Sequence, residues 1–364
     1  MSFQKGGSGL SEGVDTGLEG RRATVHDVAR EAGVSLATVD RVLNGRPGVR
    51  PETAQKVEDA IKALDFRRDL SASLLARAKD LRIRFLIPSG SNEFMGNLNA
   101  AIERQAREAR GQRVEISAGP VRALDPSDLK ATLDGLEARS CDCAVIVATE
   151  DDMVRQAVED ASRRGIVVMT LVSDLPGSRR RAFIGIDNVA AGRTAASLLG
   201  RFLPQGGKVG LVAGSLDLRD HRERLEGFSQ VLAQEFADLV AVGPMEGHDE
   251  ASQTGEAVTR LLAAHPDLAG LYNLGAGNAG LIDALAAAGR AGTMRVVAHE
   301  LTPSTSRGLR EGVIDVVLDQ NPEGEIRAAI AAARALAAGS ARGGEGEGQR
   351  SPIAIGIFLR DNLR

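Results

Sequence analysis

The chain has 364 residues, 43% hydrophobic and 26% charged, with a net charge of −4 at pH 7, an ordinary globular composition with length for one small and one large two-lobed domain. No stretch reaches the roughly 18 consecutive apolar residues of a membrane span. Net acidity alone argues against a nucleic-acid partner, but residues 21–79 carry 12 Lys/Arg against 8 Asp/Glu while the rest carries 33 against 41, and a basic head on an acidic body fits a local anionic partner.

Residues 1–21 are Gly/Ser-rich with scattered acids and read as a disordered leader, not a signal peptide. Three helical patterns follow. Thr24 can cap a helix through Val25, Val28 and Ala29, which Gly33 ends. Ser35 can cap a second helix with Val39, Val42 and Leu43 on one face. After the loop Asn44–Gly48, Pro51 opens a third helix through Val57, Ile61 and Leu64. From residue 82 strands and helices alternate. Arg82–Pro88, Arg113–Ala118, Cys143–Ala148, Ile166–Leu171 and Ala182–Ile186 form one strand series, closed by a helix over Ala190–Phe202. Lys208–Ala213, Leu239–Gly243, Ala269–Asn273, Met294–His299 and Asp315–Leu318 form a second. A helix over Glu323–Ala338, a flexible loop over Ser340–Arg350 and a last strand near Ile353–Phe358 complete the chain. Such alternation implies parallel sheets, and two series imply two lobes with a ligand site at the carboxyl ends of the strands, near the lobe junction.

The spacing of Ala29, Gly33, Val34, Val39 and Val42 is that of a helix-turn-helix. Ala29 lets the helices cross closely, Gly33 permits the tight turn, and Val34 and Val39 fill the angle between the helices. Leu36, Ala37, Thr38, Arg41 and Asn44 then lie on the other side of the second helix or at its end, where a recognition helix meets base edges and phosphates. A three-helix bundle used for protein contacts is the plainer alternative.

The segment from Ala23 to Phe66, ATVHDVAREAGVSLATVDRVLNGRPGVRPETAQKVEDAIKALDF, resembles the DNA-binding headpiece of the LacI/GalR family of bacterial repressors, whose body is similar to periplasmic sugar-binding proteins. The resemblance implies that Leu36 and Ala37 read bases with Arg41 close by, and that Thr24, Ser35, Thr38 and Asn44 lie near the DNA backbone. Asp40 stands where the family has Ser, and its charge is unfavourable beside phosphate unless an Arg pairs with it; Arg50 replaces the usual cap before Pro51. By the same resemblance Leu70–Ala78 is a hinge helix that forms when two copies pack over the minor groove, with Leu75 wedged into a base step. Leu74 takes that place if the register moves by one, and a plain linker helix is the alternative.

In the body, Gly275, Gly277 and Gly280 form G-A-G-N-A-G after a strand, and Glu300 ends the next strand. That is the dinucleotide fingerprint in its proper context and points by itself to an NAD-dependent oxidoreductase. It sits in the third strand of the second lobe, however, whereas the fingerprint occupies the first βαβ unit of its sheet. No G-x-S-x-G, H-E-x-x-H or P-loop occurs, and none of the five His has ligand spacing. His221 reads as part of a solvated helix start, and His299 as either a ligand contact or a half-buried strand residue. Cys141 and Cys143, on one strand, face the same side and read as reduced packing residues of a cytosolic protein, since two Cys without His nearby make no zinc site.

Strand ends and the resemblance together place a sugar-type ligand against Asn92, Phe94, Ser173, Asp174, Arg224, Asn273, Glu300 and Gln320, because hydroxyls need donors, acceptors and an apolar face. Arg224 as a surface charge and Asp174 as a cap for Leu175-Pro176-Gly177 are the alternatives. Asp187-Asn188 reads as a helix cap outside the site. The expected protein is an N-terminal all-α headpiece (22–68), a hinge (69–80) and a two-lobed α/β body of two parallel-sheet subdomains (81–364). It would be a cytoplasmic, nucleoid-associated homodimer, binding operator DNA under control of a sugar or polyol. No catalytic residue, metal, cofactor or membrane partner is expected. An oxidoreductase, or a sugar-binding module without DNA function, is the alternative.

Overall fold

The computed structural model describes residues 23–43, 46–66, 80–338 and 349–363, which fall into two compact units within Met1–Arg67 and Arg68–Arg364. The leader, Asn44, the hinge segment with Leu74 and Leu75, and residues 340–348 of the expected loop lie outside the described residues.

The first unit contains α1 (Val25–Ala32), α2 (Leu36–Leu43) and α3 (Pro51–Ala63). Thr24 and Asp27 form a reciprocal capping box at the start of α1, satisfying backbone N–H groups that a helix start otherwise leaves open. Gly33 ends α1 at φ +64°, a left-handed conformation that glycine adopts without a Cβ penalty. Pro51 opens α3, and Arg50 before it makes no side-chain cap. Val28, Ala29, Val39, Val57, Ala60, Ile61 and Phe66 form the core, with Val34 and Val42 packed against it.

The second unit has two lobes. The first contains β1 (Leu81–Ser89), α4 (Glu93–Glu108), β2 (Val114–Arg122), α5 (Pro126–Asp134), β3 (Cys143–Ile146), α6 (Asp152–Arg163), β4 (Val167–Leu171) and β5 (Ala182–Gly185). The chain then crosses into α7 (Asn188–Phe202), β6 (Gly207–Ala213), α8 (Arg219–Glu235), β7 (Leu239–Glu246), α9 (Ala251–Ala264), β8 (Leu268–Asn273), α10 (Asn278–Ala287), β9 (Arg295–His299), α11 (Pro303–Glu311) and β10 (Val316–Asp319). It returns for α12 (Pro322–Ala337) and β11 (Gln349–Pro352), and crosses once more to β12 (Gly356–Phe358). Gln349 and Arg350, expected in the loop, belong to β11, which pairs with β5.

The sheet orders are β11-β5-β4-β3-β1-β2 and β12-β10-β9-β8-β6-β7. Neighbours are parallel except for the antiparallel β10–β12 pair. In each sheet the winding reverses beside the first strand, between β1 and β3 and between β6 and β8, and a ligand crevice opens at the carboxyl ends of strands at such a reversal. Apolar clusters cover both faces of each sheet, as βαβ crossovers require. The two cysteines do not share a face. Strand β3 begins at Cys143, which packs in the cluster with Phe85 and Leu98, whereas Cys141 precedes the strand and packs with Ile146 and Leu133 on the other side. Both are buried and unbridged, and burial pushes the Cys141 thiol up to about 12.

Helices α7 and α8 meet almost backbone to backbone. A Cβ on Gly192 would stand 1.9 Å from the Arg224 carbonyl oxygen, and one on Gly227 would stand 2.0 Å from that of Val189. This contact fixes the turn of α8 that carries Arg224. Gly192→Ala should therefore cost about 1–3 kcal/mol of stability, seen as a lower urea midpoint; an unchanged midpoint would show that the helices have room to part.

Candidate functional site

In the first unit, α2 turns Val39 wholly inward while Ser35, Leu36, Ala37, Asp40 and Arg41 are exposed and Thr38 is half-buried. Leu36 is 41% exposed, and a large apolar side chain at the start of a short surface helix contributes nothing to this unit's core. The Ser35 hydroxyl accepts from the Thr38 N–H at 3.2 Å and contacts the Thr38 hydroxyl at 2.9 Å. The Thr24 hydroxyl donates to Asp27 within the capping box. Asp40 pairs with Arg46 at 3.2 Å, which offsets the carboxylate on an otherwise neutral or basic face. Such a surface suits a polyanion: an open helix N-terminus, hydroxyls and a guanidinium for phosphates and base edges, and an apolar pair for a thymine methyl.

In the second unit, Arg224 on α8 is 1% exposed. Its Nε donates to Asn188 Oδ1 at 2.9 Å and its Nη1 to the Leu274 carbonyl at 2.7 Å. Asp220 and Glu300 lie 3.7 and 3.9 Å from the guanidinium. Gln320 donates to Glu300 Oε1 at 2.6 Å. Asn273 donates to the Ala276 carbonyl and to Asn278 Oδ1, and Asn278 in turn to the His299 carbonyl. Arg224, Glu300 and Gln320 thus form one buried chain past the ends of β9 and β10, and Asn273 at the end of β8 belongs to a second set of hydrogen bonds that reaches the His299 carbonyl through Asn278. Sequence reasoning passed over Asn188, which it set aside as a helix cap. Asp187 does the capping, while Asn188 beside it is 2% exposed and holds the guanidinium.

The four first-lobe candidates are arranged differently. Asn92 caps α4 through its Oδ1 and lines a narrow cavity between the lobes with Met95, Leu218 and Asp249. Phe94 is 3% exposed within the first lobe's core. The Ser173 hydroxyl accepts from the Arg219 N–H across the lobe junction at 3.2 Å. Asp174 is buried against Arg180 and also accepts from Thr170 Oγ1 and Leu175 N, each at 2.8 Å, so its oxygens are engaged within the first lobe. Further contacts draw the lobes together: Glu150 meets Arg219 and Arg222, Glu250 meets Ser91, and Ser304 donates to Glu93 at 2.9 Å.

Two histidines differ from expectation. His221 is buried, not solvated, because the β6–α8 loop folds over the helix start and Ser215 N–H meets its Nδ1 at 3.2 Å. His299 is fully buried, with Nε2 2.8 Å from the Tyr272 hydroxyl; burial, then the nearby Arg224, pushes its pKa well below the usual imidazole value. The glycine fingerprint also has a local explanation. A Cβ on Gly275 would stand 2.5 Å from Asp249 Oδ1, one on Gly277 2.1 Å from Thr254 Oγ1, and one on Gly280 1.7 Å from the Ala251 carbonyl oxygen. The three glycines let α10 pack onto the start of α9 and its preceding loop.

Residues 83–341 match the periplasmic binding protein domain family, and residues 24–69 match the bacterial regulatory proteins of the lacI family. The chain is 29% identical over 214 residues to catabolite control protein A of Staphylococcus epidermidis, covering 58% of this chain and 61% of that relative's length. It is 27% identical over 246 residues to catabolite control protein A of Staphylococcus aureus, covering 67% and 71%. Among solved structures, a Burkholderia graminis solute-binding protein in complex with D-arabinose has a TM-score of 0.70 at 24% identity, covering 78% of this chain and 97% of that one. A glucose-galactose binding protein from Geobacillus stearothermophilus has a TM-score of 0.70 at 20% identity, covering 78% and 99%. At these identities the solved structures establish the fold.

Burial pushes the Glu300 carboxyl from 4.5 up to about 8, opposed by Arg224 and reinforced by Asp319 and Asp220. A carboxyl raised by folding contributes stability that is complete below pH 4.5 and lost as pH rises through about 8. The melting temperature of Glu300→Gln should therefore gain on the unmodified protein as pH rises across that window and level off above it. A pH-independent gap would contradict the raised carboxyl.

Proposed function

Because this chain belongs to the lacI family of bacterial regulatory proteins, with a periplasmic binding protein domain as its body, we propose that α2 enters the major groove of operator DNA and that a sugar or polyol held between the lobes controls that binding. The observation that carries the reading is the two-faced α2, with Val39 buried and Leu36, Ala37 and Arg41 free. Leu36 and Ala37 meet base edges at the helix start, and Arg41 reaches a base or a phosphate. Thr24, Ser35, Thr38 and Asn44 position the helix on the backbone. Residues 22–68 act as the headpiece, 69–80 as a hinge whose Leu75 enters the minor groove, and 81–364 as the effector and dimerisation domain. A homodimer then reads two half-sites, in the cytoplasm at the nucleoid, and has no catalytic role.

The sugar class rests on chemistry. Arg224, Asn273, Glu300 and Gln320 offer the mixed donors and acceptors that hydroxyls need, and structural relatives of the body carry arabinose or bind glucose and galactose. Asn92 and Ser173 line the approach from the first lobe, with Asp174 and Phe94 behind them. Effector binding changes the fit of the lobes and hence the separation of the two hinges, which requires different affinities for the two states.

The test uses duplexes selected from a random-sequence pool by the purified full-length chain. Affinity should fall steeply with salt, as phosphate contacts require. Arg41→Ala should weaken binding about tenfold and leave the melting temperature of the body unchanged. Selection of no duplex, or equal affinity in the variant, would contradict the assignment.

A further inference from the structure

Asp40 occupies the middle of the face that α2 turns outward. It follows Leu36 by four residues and Ala37 by three and directly precedes Arg41, so these four exposed residues share one side of the helix, turned away from the buried Val39. The Asp40 carboxylate is 52% exposed and meets Arg46 Nη1 at 3.2 Å. Arg46 is kept beside the end of α2 by its own backbone, whose N–H donates to the Arg41 carbonyl at 2.9 Å. The surface that carries Leu36, Ala37 and Arg41 therefore has a carboxylate at its centre and a guanidinium against it.

As a stabilising contact the pair does little, because both side chains are more than half exposed and ion pairs in water add little to a fold. Against a duplex it matters more. A carboxylate is repelled by phosphates, and one pressed onto base edges must find donors for its oxygens. The major groove offers it two, the N4 amino group of cytosine and the N6 amino group of adenine. Adenine sets the N7 lone pair beside its amino group, where it repels a carboxylate, whereas cytosine has no acceptor there. The opposite bases differ as well. Guanine presents O6 and N7 to a guanidinium, while thymine presents O4 alone and a methyl group. A carboxylate with an arginine beside it is therefore matched on both halves by a C·G pair and less well by A·T. We infer that Asp40 and Arg46 together read a C·G base pair in each half-site, Asp40 accepting from the cytosine N4 amino group and Arg46 donating to the paired guanine. Asp40 is then a specificity-determining residue of α2, set among Leu36, Ala37 and Arg41. The inference rests on the DNA-binding reading above and deepens it.

The test is enrichment of duplexes from a random-sequence pool by the full-length chain, followed by affinities for the enriched site and for versions of it altered at one base pair. The site should hold a C·G pair whose change to T·A, which exchanges the amino donor for a carbonyl acceptor, costs the unmodified protein about fivefold or more. Asp40→Asn carries an amide that meets either base and should bind the two versions within about twofold of each other. Arg46→Gln should weaken binding to the enriched site, and adding Asp40→Asn to it should recover part of the loss, since the uncompensated carboxylate is then gone. Both residues are exposed, so the variants keep the fold. If Asp40 merely repels DNA, Asp40→Asn will tighten every duplex alike and keep the sequence preference of the unmodified protein. That result would overturn the inference and leave the DNA-binding reading standing, as would an A·T pair in the position that responds to Asp40, or no responding position. Arg46→Gln binding as tightly as the unmodified protein would overturn the part given to Arg46. Enrichment of no duplex would overturn both readings.

Discussion

The body is organised around one buried cation. The Arg224 guanidinium has no access to solvent, and a charge taken out of water is tolerated only where hydrogen bonds and opposite charges replace its hydration. Asn188 from the start of α7 and the Leu274 carbonyl after β8 supply the hydrogen bonds, and the Asp220 and Glu300 carboxyls lie 3.7 and 3.9 Å from the guanidinium. These partners come from four separate elements, so the guanidinium sets where the ends of β8 and β9 stand relative to α7 and α8. The glycine contact between α7 and α8 serves the same placement, because only a side chain without Cβ lets the α8 backbone come so close.

Backbone strain gathers at the same level of the fold. Val172 follows β4 at φ +66°, Glu300 follows β9 at +69°, Asn321 follows β10 at +56°, and His248 and Asp249 follow β7 at +48° and +59°. Each such residue costs on the order of 1–3 kcal/mol. For the β-branched Val172 the conformation is a genuine outlier. They sit past the carboxyl ends of parallel strands, where the two sheets face one another, and strain persists where the surroundings over-determine it. The electrostatic contacts of Glu150 with Arg219 and Arg222 are only partly buried, so they hold the lobes weakly enough for a ligand to compete. A strained rim on rigid sheets, closed by modest ion pairs, is suited to two lobe arrangements of similar free energy.

Much of this was legible in the sequence because it depends on local rules. Gly33 marks a left-handed turn, Val39 and Val42 fall on the inner face of a short helix, and strands alternate with helices at the spacing of βαβ units. The body's polar cluster was only half legible. Arg224, Asn273, Glu300 and Gln320 could be placed from strand ends and resemblance. Asn188 could not, since a polar residue in a helix's first turn is equally well explained as a cap or as a complement to the helix dipole. What sets it apart is the hydrogen bond it accepts from Arg224 of α8. His221 failed for the same reason: its place at a helix start suggested solvent, while the fold turned the imidazole under a loop. The glycine fingerprint misled in the opposite direction, because close helix packing calls for the same residue type as a phosphate cradle.

Head and body each have a physical logic of their own, and the account stands on their being coupled. The most direct measurement is the affinity of the full-length chain for a selected duplex at fixed salt, with and without a saturating sugar or polyol that raises its melting temperature, in the unmodified protein and in Arg224→Ala. The account predicts a change in DNA affinity of about 5- to 150-fold for the unmodified protein, and none in the variant, measured well below the variant's own melting temperature. A DNA affinity indifferent to the bound sugar, or a response that survives the loss of Arg224, would contradict it.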